Sequence, residues 1–191
     1  ARRLAPAFDF FIINARLRHD LPARELVPEG MVIRVGFGTR LDKWLLPIFG
    51  FFAVLKLALK GDIEISFFRR TVSSTLFWGM DISQGSISAW LCKIFFPRIP
   101  FIFTVQYGYG DNRLQEGRGG FIRIAFQRML KTADYTTVIS SYLFDTITRY
   151  GYVGSAKIIP NGVDTDLFAY RGYEDTKQGE SNQRVIITTS R

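Results

Sequence analysis

Short apolar runs alternate with helical patterns over the second half of the chain, and this alternation restricts the possible folds more than any other feature. The runs at residues 75–80, 101–106, 135–139 and 157–160 are rich in β-branched and aromatic residues. Helical spacing of apolar residues follows the first three runs. Strand–helix–strand units of this kind require a right-handed crossover and a parallel strand pair. The sequence therefore predicts an α/β fold with a doubly wound, mostly parallel sheet flanked by helices.

The first half of the chain predicts two further strands, at residues 8–14 and 31–37, with a charged loop between them. Asp42 is placed to cap the helix that follows. Residues 62–80 contain two candidate strands, 63–68 and 75–80. The second is favoured because a helix follows it at the usual short βα spacing. Residues 61–74 are then predicted to form an irregular insertion.

The most hydrophobic segment is residues 44–59, which reads W-L-L-P-I-F-G-F-F-A-V-L-K-L-A-L. A membrane-spanning helix needs about 20 apolar residues, so this segment is too short to predict a span. Two interpretations stay open. The segment is either a helix packed on the sheet, or an interfacial helix that contacts anionic lipid with the help of Lys43, Lys56 and Lys60.

Charge and rare residues narrow the classes of function. The 191-residue chain has 25 Lys and Arg against 17 Asp and Glu, a net charge of +8, which suits nucleic acid, an anionic membrane or phosphorylated substrates. The basic residues are scattered, which weighs against nucleic acid. One cysteine, Cys92, excludes an internal disulfide framework and indicates a reducing compartment, with Cys92 as a core residue. One histidine, His19, lies in a polar loop and is predicted to be solvated surface.

The carboxyl ends of the strands are the predicted site, because ligands of open α/β sheets bind there. This rule selects residues 80–84, 106–111, 140–141 and 161–164. The glycine-rich 108–111 loop favours a substrate loop over a phosphate cradle, since no helix opens directly after it. Asp111 lies where a general base could act, although capping or solvation of the loop is the favoured explanation. No phosphate-loop, dinucleotide-binding or zinc motif is present in the sequence.

Four segments carry a family resemblance. They are 99–108 (I-P-F-I-F-T-V-Q-Y-G), 133–143 (A-D-Y-T-T-V-I-S-S-Y-L), 157–168 (K-I-I-P-N-G-V-D-T-D-L-F) and 185–191 (V-I-I-T-T-S-R). In order and spacing they resemble the retaining glycosyltransferases of family 4, which have the GT-B architecture. The resemblance implies a two-domain enzyme of polysaccharide biosynthesis. Such an enzyme moves a hexosyl-type sugar from a nucleotide-sugar donor to a glycan or lipid-linked acceptor in the cleft between its domains.

The resemblance also implies roles for individual residues. Gln106 stands at the catalytic position where many members have a histidine, and Arg191 matches the arginine that contacts the donor diphosphate. The implied substrate-binding residues are Tyr107, Gly108, Asp111, Ser140, Asn161, Gly162 and Asp164. No cofactor and no metal are implied, because in this fold basic side chains and a helix N-terminus meet the diphosphate.

The sequence departs from the family pattern in several places. Gln106 can hydrogen-bond a sugar hydroxyl but cannot take up a proton at neutral pH. Ser190 stands where glycine is usual, and the front glycine-rich loop and the donor-binding domain are missing. We therefore expect a fragment that does not catalyse alone.

The expected domain organisation follows from the same resemblance. Residues 1–170 are expected to form an amino-terminal, acceptor-side domain that lacks its first strand, residues 171–184 a linker, and residues 185–191 the first strand of a truncated donor-binding domain. The expected location is cytoplasmic, with peripheral membrane contact as an option. The alternative function is a non-catalytic α/β module that binds an anionic membrane or a protein partner, and nucleic-acid binding ranks last.

Overall fold

The computed structural model describes residues 4, 7–63, 75–106 and 119–162, and these residues contain strands and helices in alternation. In chain order the elements are β1 Phe11–Ala15, β2 Arg24–Val27, β3 Gly30–Val35, α1 Asp42–Lys60, β4 Phe77–Met80, α2 Gln84–Phe95, β5 Phe101–Val105, α3 Phe121–Thr132, β6 Tyr135–Val138, α4 Ser141–Arg149 and β7 Lys157–Ile158. All of them lie in the first of two compact units, 1–160; the second unit is 161–191.

The predicted α/β fold class is confirmed. Strands β4, β5, β6 and β7 pair in that order, all in parallel, with Phe77 opposite Phe101 and Val105 opposite Val138. A second sheet has the order β1-β3-β2, in which β1 and β3 are parallel. This is the architecture of a Rossmann-like half-domain flanked by helices.

Strand β2 corrects one prediction, because the sequence indicated a charged loop between the first two strands. Arg24–Val27 pairs antiparallel with β3. Its residues are mostly exposed, and Arg34 of β3 binds Glu25 across the pair. An exposed edge strand with charged residues has no apolar alternation, which is why the pattern did not reveal it.

One core joins the helices to one face of the main sheet. Phe101 and Phe103 of β5 are fully buried in a cluster that includes Val54 of α1, Cys92 of α2 and Phe126 of α3. The residues of β4 and β6 that point to the opposite face of the sheet are not buried in this way, since Trp78, Met80 and Tyr135 are substantially exposed. Among the described residues, the helices therefore cover one face of this sheet.

Most of the predicted elements are confirmed, with shifted ends. The choice of 75–80 as a strand is correct, and 44–59 lies within α1. The strand predicted at 8–14 begins three residues later, at Phe11. Before it, the rings of Phe8 and Phe10 contact each other, and Phe10 also contacts Trp78. The alternative strand at 63–68, the predicted insertion at 61–74 and the loop at 107–120 fall largely outside the described residues.

Helices α1 and α2 pack closely at a glycine. A Cβ atom added to Gly50 would lie 2.2 Å from the Ser88 Oγ of α2 and 3.6 Å from a methyl group of Ile13 in β1. Real Cβ atoms do not approach a neighbour so closely, so only glycine permits this contact. Because α1 contacts both β1 and α2, it links the two sheets.

The sequence predicted that Asp42 caps the helix that follows it, and this prediction is wrong. The side chain is fully buried, and its Oδ2 accepts hydrogen bonds from the backbone N–H groups of Gly38 (2.7 Å) and Thr39 (2.8 Å), which precede the helix. Burial acts to raise the pKa of Asp42, but the backbone hydrogen bonds outweigh it and the pKa falls below its ordinary value of 3.8. Asp42 thus fixes the turn between β3 and α1.

This arrangement makes a prediction about pH. A carboxyl with a lowered folded-state pKa stabilises the fold above its ordinary pKa, and the contribution is lost as the pH falls through the folded value. The urea midpoint of the wild type should therefore exceed that of Asp42→Asn at about pH 7. The difference between the two midpoints should become smaller when the pH falls below 3.8. An equal gap from about pH 7 to about pH 3 would contradict the role of the ionised carboxylate.

Candidate active site

The carboxyl ends of β4 and β5 are joined by Asp81, the residue directly after β4. Asp81 has a positive φ of 54°, which is uncommon for a residue other than glycine. Its N–H donates to the Thr104 carbonyl (2.8 Å), and its Oδ1 accepts from the backbone N–H of Gln106 (2.7 Å). Strained backbone of this kind is often found at functional sites. The two strand ends are therefore locked together at this rim.

Helix α2 begins at the same rim through a serine pair. Ser83 is the N-cap, and its Oγ accepts from the Ser86 N–H at 3.1 Å. The hydroxyls of Ser83 and Ser86 both donate to the Met80 carbonyl, at 3.1 and 2.8 Å. These bonds hold the short β4–α2 turn against the strand end and orient the amino end of the helix toward the rim.

The predicted catalytic residue Gln106 directly follows β5 and is partly buried. Val105 pairs with Val138, so Gln106 lies beside the end of β6 and near Ser140. The sequence therefore placed Gln106 and Ser140 correctly on one edge of the sheet. It selected residues 80–84 as part of this edge without singling out Asp81.

Ser140 is the N-cap of α4, as predicted for Ser140 or Ser141. Its φ of −153° is extended, and its Oγ accepts from the Leu143 N–H at 3.3 Å. The hydroxyl proton is still available to a ligand oxygen, because a serine can donate and accept at once. Gly151, with a φ of 88°, follows this helix as predicted.

A chain of polar side chains below the rim was not predicted. Trp78 Nε1 donates to Thr104 Oγ1 (2.9 Å), and Thr104 Oγ1 and Thr137 Oγ1 are 2.8 Å apart. The chain crosses β4, β5 and β6 on the face that the described helices leave uncovered. The sequence signal was a threonine in each of two apolar strands, but only the strand register brings them together.

The other predicted site residues lie in the second unit or outside the described residues. Asn161 and Gly162 are exposed and belong to the second unit. Tyr107, Gly108, Asp111, Asp164 and Arg191 lie outside the described residues. Their roles therefore stay predictions.

The two residues excluded from the site are placed as predicted. Cys92 is buried in the core, and burial raises the pKa of its thiol to about 12, so it is no nucleophile at neutral pH. His19 is exposed. Within the described ranges, no three His, Cys, Asp or Glu side chains come together as a metal site.

The fold and the rim define the class of protein. A parallel, helix-flanked sheet with polar residues gathered at the carboxyl ends of its strands is a Rossmann-like ligand-binding domain, as in one half of a GT-B glycosyltransferase. Residues 79–167, from β4 through β7 and beyond, match the model of Glycosyltransferase Family 4. Over these residues the match supports a glycosyltransferase-like domain similar to that family. No curated protein matches the sequence.

Proposed function

We propose that the chain is the acceptor-side domain of a retaining glycosyltransferase, which transfers a sugar from a nucleotide-sugar donor to a glycan or lipid-linked acceptor. The observation that carries the proposal is the shared rim of Asp81, Gln106 and Ser140 within the segment that matches the family. The rim lies where open α/β sheets bind their ligands.

Each rim residue has a role that suits its chemistry. Gln106 is the catalytic residue: its amide hydrogen-bonds a hydroxyl of the donor sugar and holds it for transfer, without taking a proton. Asp81 is a positioning residue, because its carboxylate holds the backbone of Gln106. The amino ends of α2 and α4 supply partial positive charge at the same edge, where an oxyanion of the substrate is stabilised.

The remaining predicted residues complete the proposal. The acceptor side includes Tyr107, Gly108, Asp111, Asn161, Gly162 and Asp164. Arg191 binds the donor diphosphate, since its forked guanidinium suits two phosphate oxygens. A donor-binding domain in the same polypeptide supplies the rest of the nucleotide site, and the protein works in the cytoplasm without a metal or cofactor.

The test is transfer by the complete gene product that carries this chain. The purified protein is given a panel of uridine- and guanosine-diphosphate sugars with a polyprenyl-phosphate acceptor or an oligosaccharide acceptor. Product mass identifies the sugar, and NMR of the new linkage tests retention of configuration. Gln106→Ala is expected to lower kcat by about 100-fold, because a hydrogen bond made to the reacting sugar is lost.

Gln127→Ala is the matched control. Gln127 is a partly buried glutamine whose Nε2 donates to the Tyr150 carbonyl (3.2 Å) at the end of α4, away from the rim. Its kcat should equal that of the wild type. Equal kcat values for Gln106→Ala and Gln127→Ala would refute the catalytic role, and failure to use any nucleotide sugar would refute the enzyme assignment.

A non-catalytic α/β module that binds an anionic membrane or a protein partner is the second candidate. It is favoured by one observation, the large apolar side chains that α1 exposes. A complete gene product that transfers no sugar but still binds anionic vesicles would support it.

A further inference from the structure

Helix α1 is apolar on two opposite sides. Its core side is buried and includes Leu46, Gly50, Val54 and Leu57. Its other side carries large apolar residues that are exposed, which we call the outer stripe: Leu41 (68%), Trp44 (49%), Leu45 (37%), Ile48 (52%), Phe52 (58%) and Leu59 (81%). A helix that is apolar on both sides is not adapted to face water.

The outer stripe is one continuous line and not scattered exposure. Positions 41, 45, 48 and 52 follow each other at spacings of three or four residues, which places them on one side of the helix. Helix α4, which packs on the same sheet face, shows the usual alternative: its exposed positions include Ser141, Asp145, Thr148 and Arg149. Among the described residues, α2 exposes Ile94 and Phe95 and α3 exposes Phe121 and Ile124, so the apolar outer surface is most extensive on α1.

Cationic side chains flank the stripe near its end. Lys56 and Lys60 of α1 are exposed there, followed by the exposed Asp62, whereas Lys43 falls by helical spacing on the line of Leu46 and Gly50. The acidic residue within α1, Asp42, is fully buried against backbone N–H groups. An apolar line with flanking lysines matches a bilayer whose surface is anionic.

A groove beside the stripe continues this pattern. It has a volume of about 350 Å³ and lies between β2, β3 and α1, lined by Arg24, Arg34, Phe49, Phe52 and Lys56 among others. Phe52 and Lys56 belong both to the groove and to the exposed side of α1. Arg34 is held by Glu25, so Arg24 and Lys56 are the cations that the groove offers. Two cationic side chains over aromatic walls suit a phosphate headgroup whose glycerol and acyl carbons lie on the apolar part.

We propose that α1 lies flat on an anionic phospholipid membrane, with its outer stripe at the acyl boundary and the cations of the groove on lipid phosphates. No helix in the described part of the chain meets the length and hydropathy needed to cross a bilayer. The exposed Trp44 is suited to the headgroup level, where tryptophan rings are enriched. This surface is independent of glycosyl transfer.

The experiment is co-sedimentation with phosphatidylglycerol-rich vesicles and with pure phosphatidylcholine vesicles. The wild type should bind the anionic vesicles, and Ile48→Glu with Phe52→Glu should lower the vesicle partition coefficient at least tenfold. The matched control is Leu26→Glu with Val153→Glu, which adds the same charge at apolar residues that are 78% and 98% exposed outside α1. Because the control substitutions lie outside α1, the control variant should lose only as much vesicle binding as its added negative charge explains.

Two further measurements keep the proposal testable. Replacing Lys56 and Lys60 by Gln should weaken binding and reduce its salt dependence. Lipids brominated in the upper acyl chain should quench tryptophan fluorescence in the wild type but much less in Trp44→Phe. This quenching tests the proposal even if circular dichroism shows that the Ile48→Glu, Phe52→Glu variant is misfolded.

Four outcomes would overturn the proposal. They are equal binding of the α1 and control variants, no preference of the wild type for anionic vesicles, no quenching that depends on Trp44, and a dimer in solution that the Ile48→Glu, Phe52→Glu variant dissociates. The last result would assign the outer stripe to a second copy of the chain.

Discussion

Replacing Asp81 with alanine is expected to lower the free energy of unfolding by about 2–4 kcal/mol and kcat of the complete enzyme by about 100-fold. Two losses combine in this variant. The Gln106 N–H loses its carboxylate acceptor at the end of β5. Alanine also tolerates the positive φ at this position less well than aspartate does.

Three substitutions at this position separate the two losses. Asp81→Asn keeps an oxygen acceptor and a residue type that visits positive φ, so it should retain most of the stability and of kcat. Asp81→Gly accepts the backbone conformation but lacks the acceptor. Asp81→Ala lacks both advantages, and the expected order of stability is Asn, then Gly, then Ala.

Urea unfolding and steady-state kinetics measure the series. A positioning role predicts that kcat falls along the series while KM for the acceptor changes little, since Gln106 is displaced but the acceptor surface is not. A purely structural role predicts normal kcat in the folded fraction of every variant. If Asp81→Ala is as stable and as active as Asp81→Asn, the proposed role of this turn is disproved.

The strongly patterned elements could be predicted from the sequence, because a buried strand or helix shows its burial in its own residues. The run at 101–106 is an example: Phe101 and Phe103 are fully buried, and β5 occupies that run. Strand β2 could not be predicted in this way. Its residues are exposed, and its pairing with β3 depends on tertiary contacts that local pattern does not contain.

The place of Gln106 and Ser140 in the fold was predictable, but the bonds around them were not. The strand-end rule located Gln106 and Ser140 on one edge, because that rule needs only strand order and direction. The positive φ of Asp81 and its bond to Gln106 depend on a contact across 25 residues. The chain from Trp78 through Thr104 to Thr137 depends on strand register in the same way.

In the described residues, the two sheets are connected through helix α1 and not through a strand ladder. In the described residues β4 pairs with β5, while β1 pairs with β3, and no ladder joins β1 to β4. Yet α1 packs on both β1 and α2 at Gly50, so the two sheets share one helical layer.

A partly buried ion pair at the opposite edge of the sheet allows stability to be changed without touching the proposed site. The Lys93 side chain is nearly buried, and its Nζ donates to the carbonyls of Pro97 (2.7 Å) and Ile99 (3.0 Å) and lies 2.8 Å from Asp134 Oδ2. The same Asp134 oxygen accepts from the Phe101 N–H at 2.7 Å. Phe101 begins β5, so this cluster fixes the amino end of the strand.

Asp134→Ala is expected to lower the free energy of unfolding by about 2–4 kcal/mol, because it leaves a buried ammonium without its counter-charge. Partial exposure of Asp134 keeps the loss below that of a fully buried pair. Lys93→Met should cost about 1–2 kcal/mol, since water can solvate the remaining carboxylate and methionine fills the space. The double variant should be more stable than the sum of the two losses predicts, by about 1–2 kcal/mol.

Urea unfolding of the four proteins measures this cycle, and kinetics of the complete enzyme supply the second readout. All four should have the same kcat in their folded state, because the pair lies at the amino end of β5 and Gln106 lies beyond its carboxyl end. Additive losses would show that Lys93 and Asp134 do not interact energetically. A fall in kcat matching that of Asp81→Ala would show that the rim responds to any loss of stability, and it would remove the kinetic evidence for Asp81 as a positioning residue.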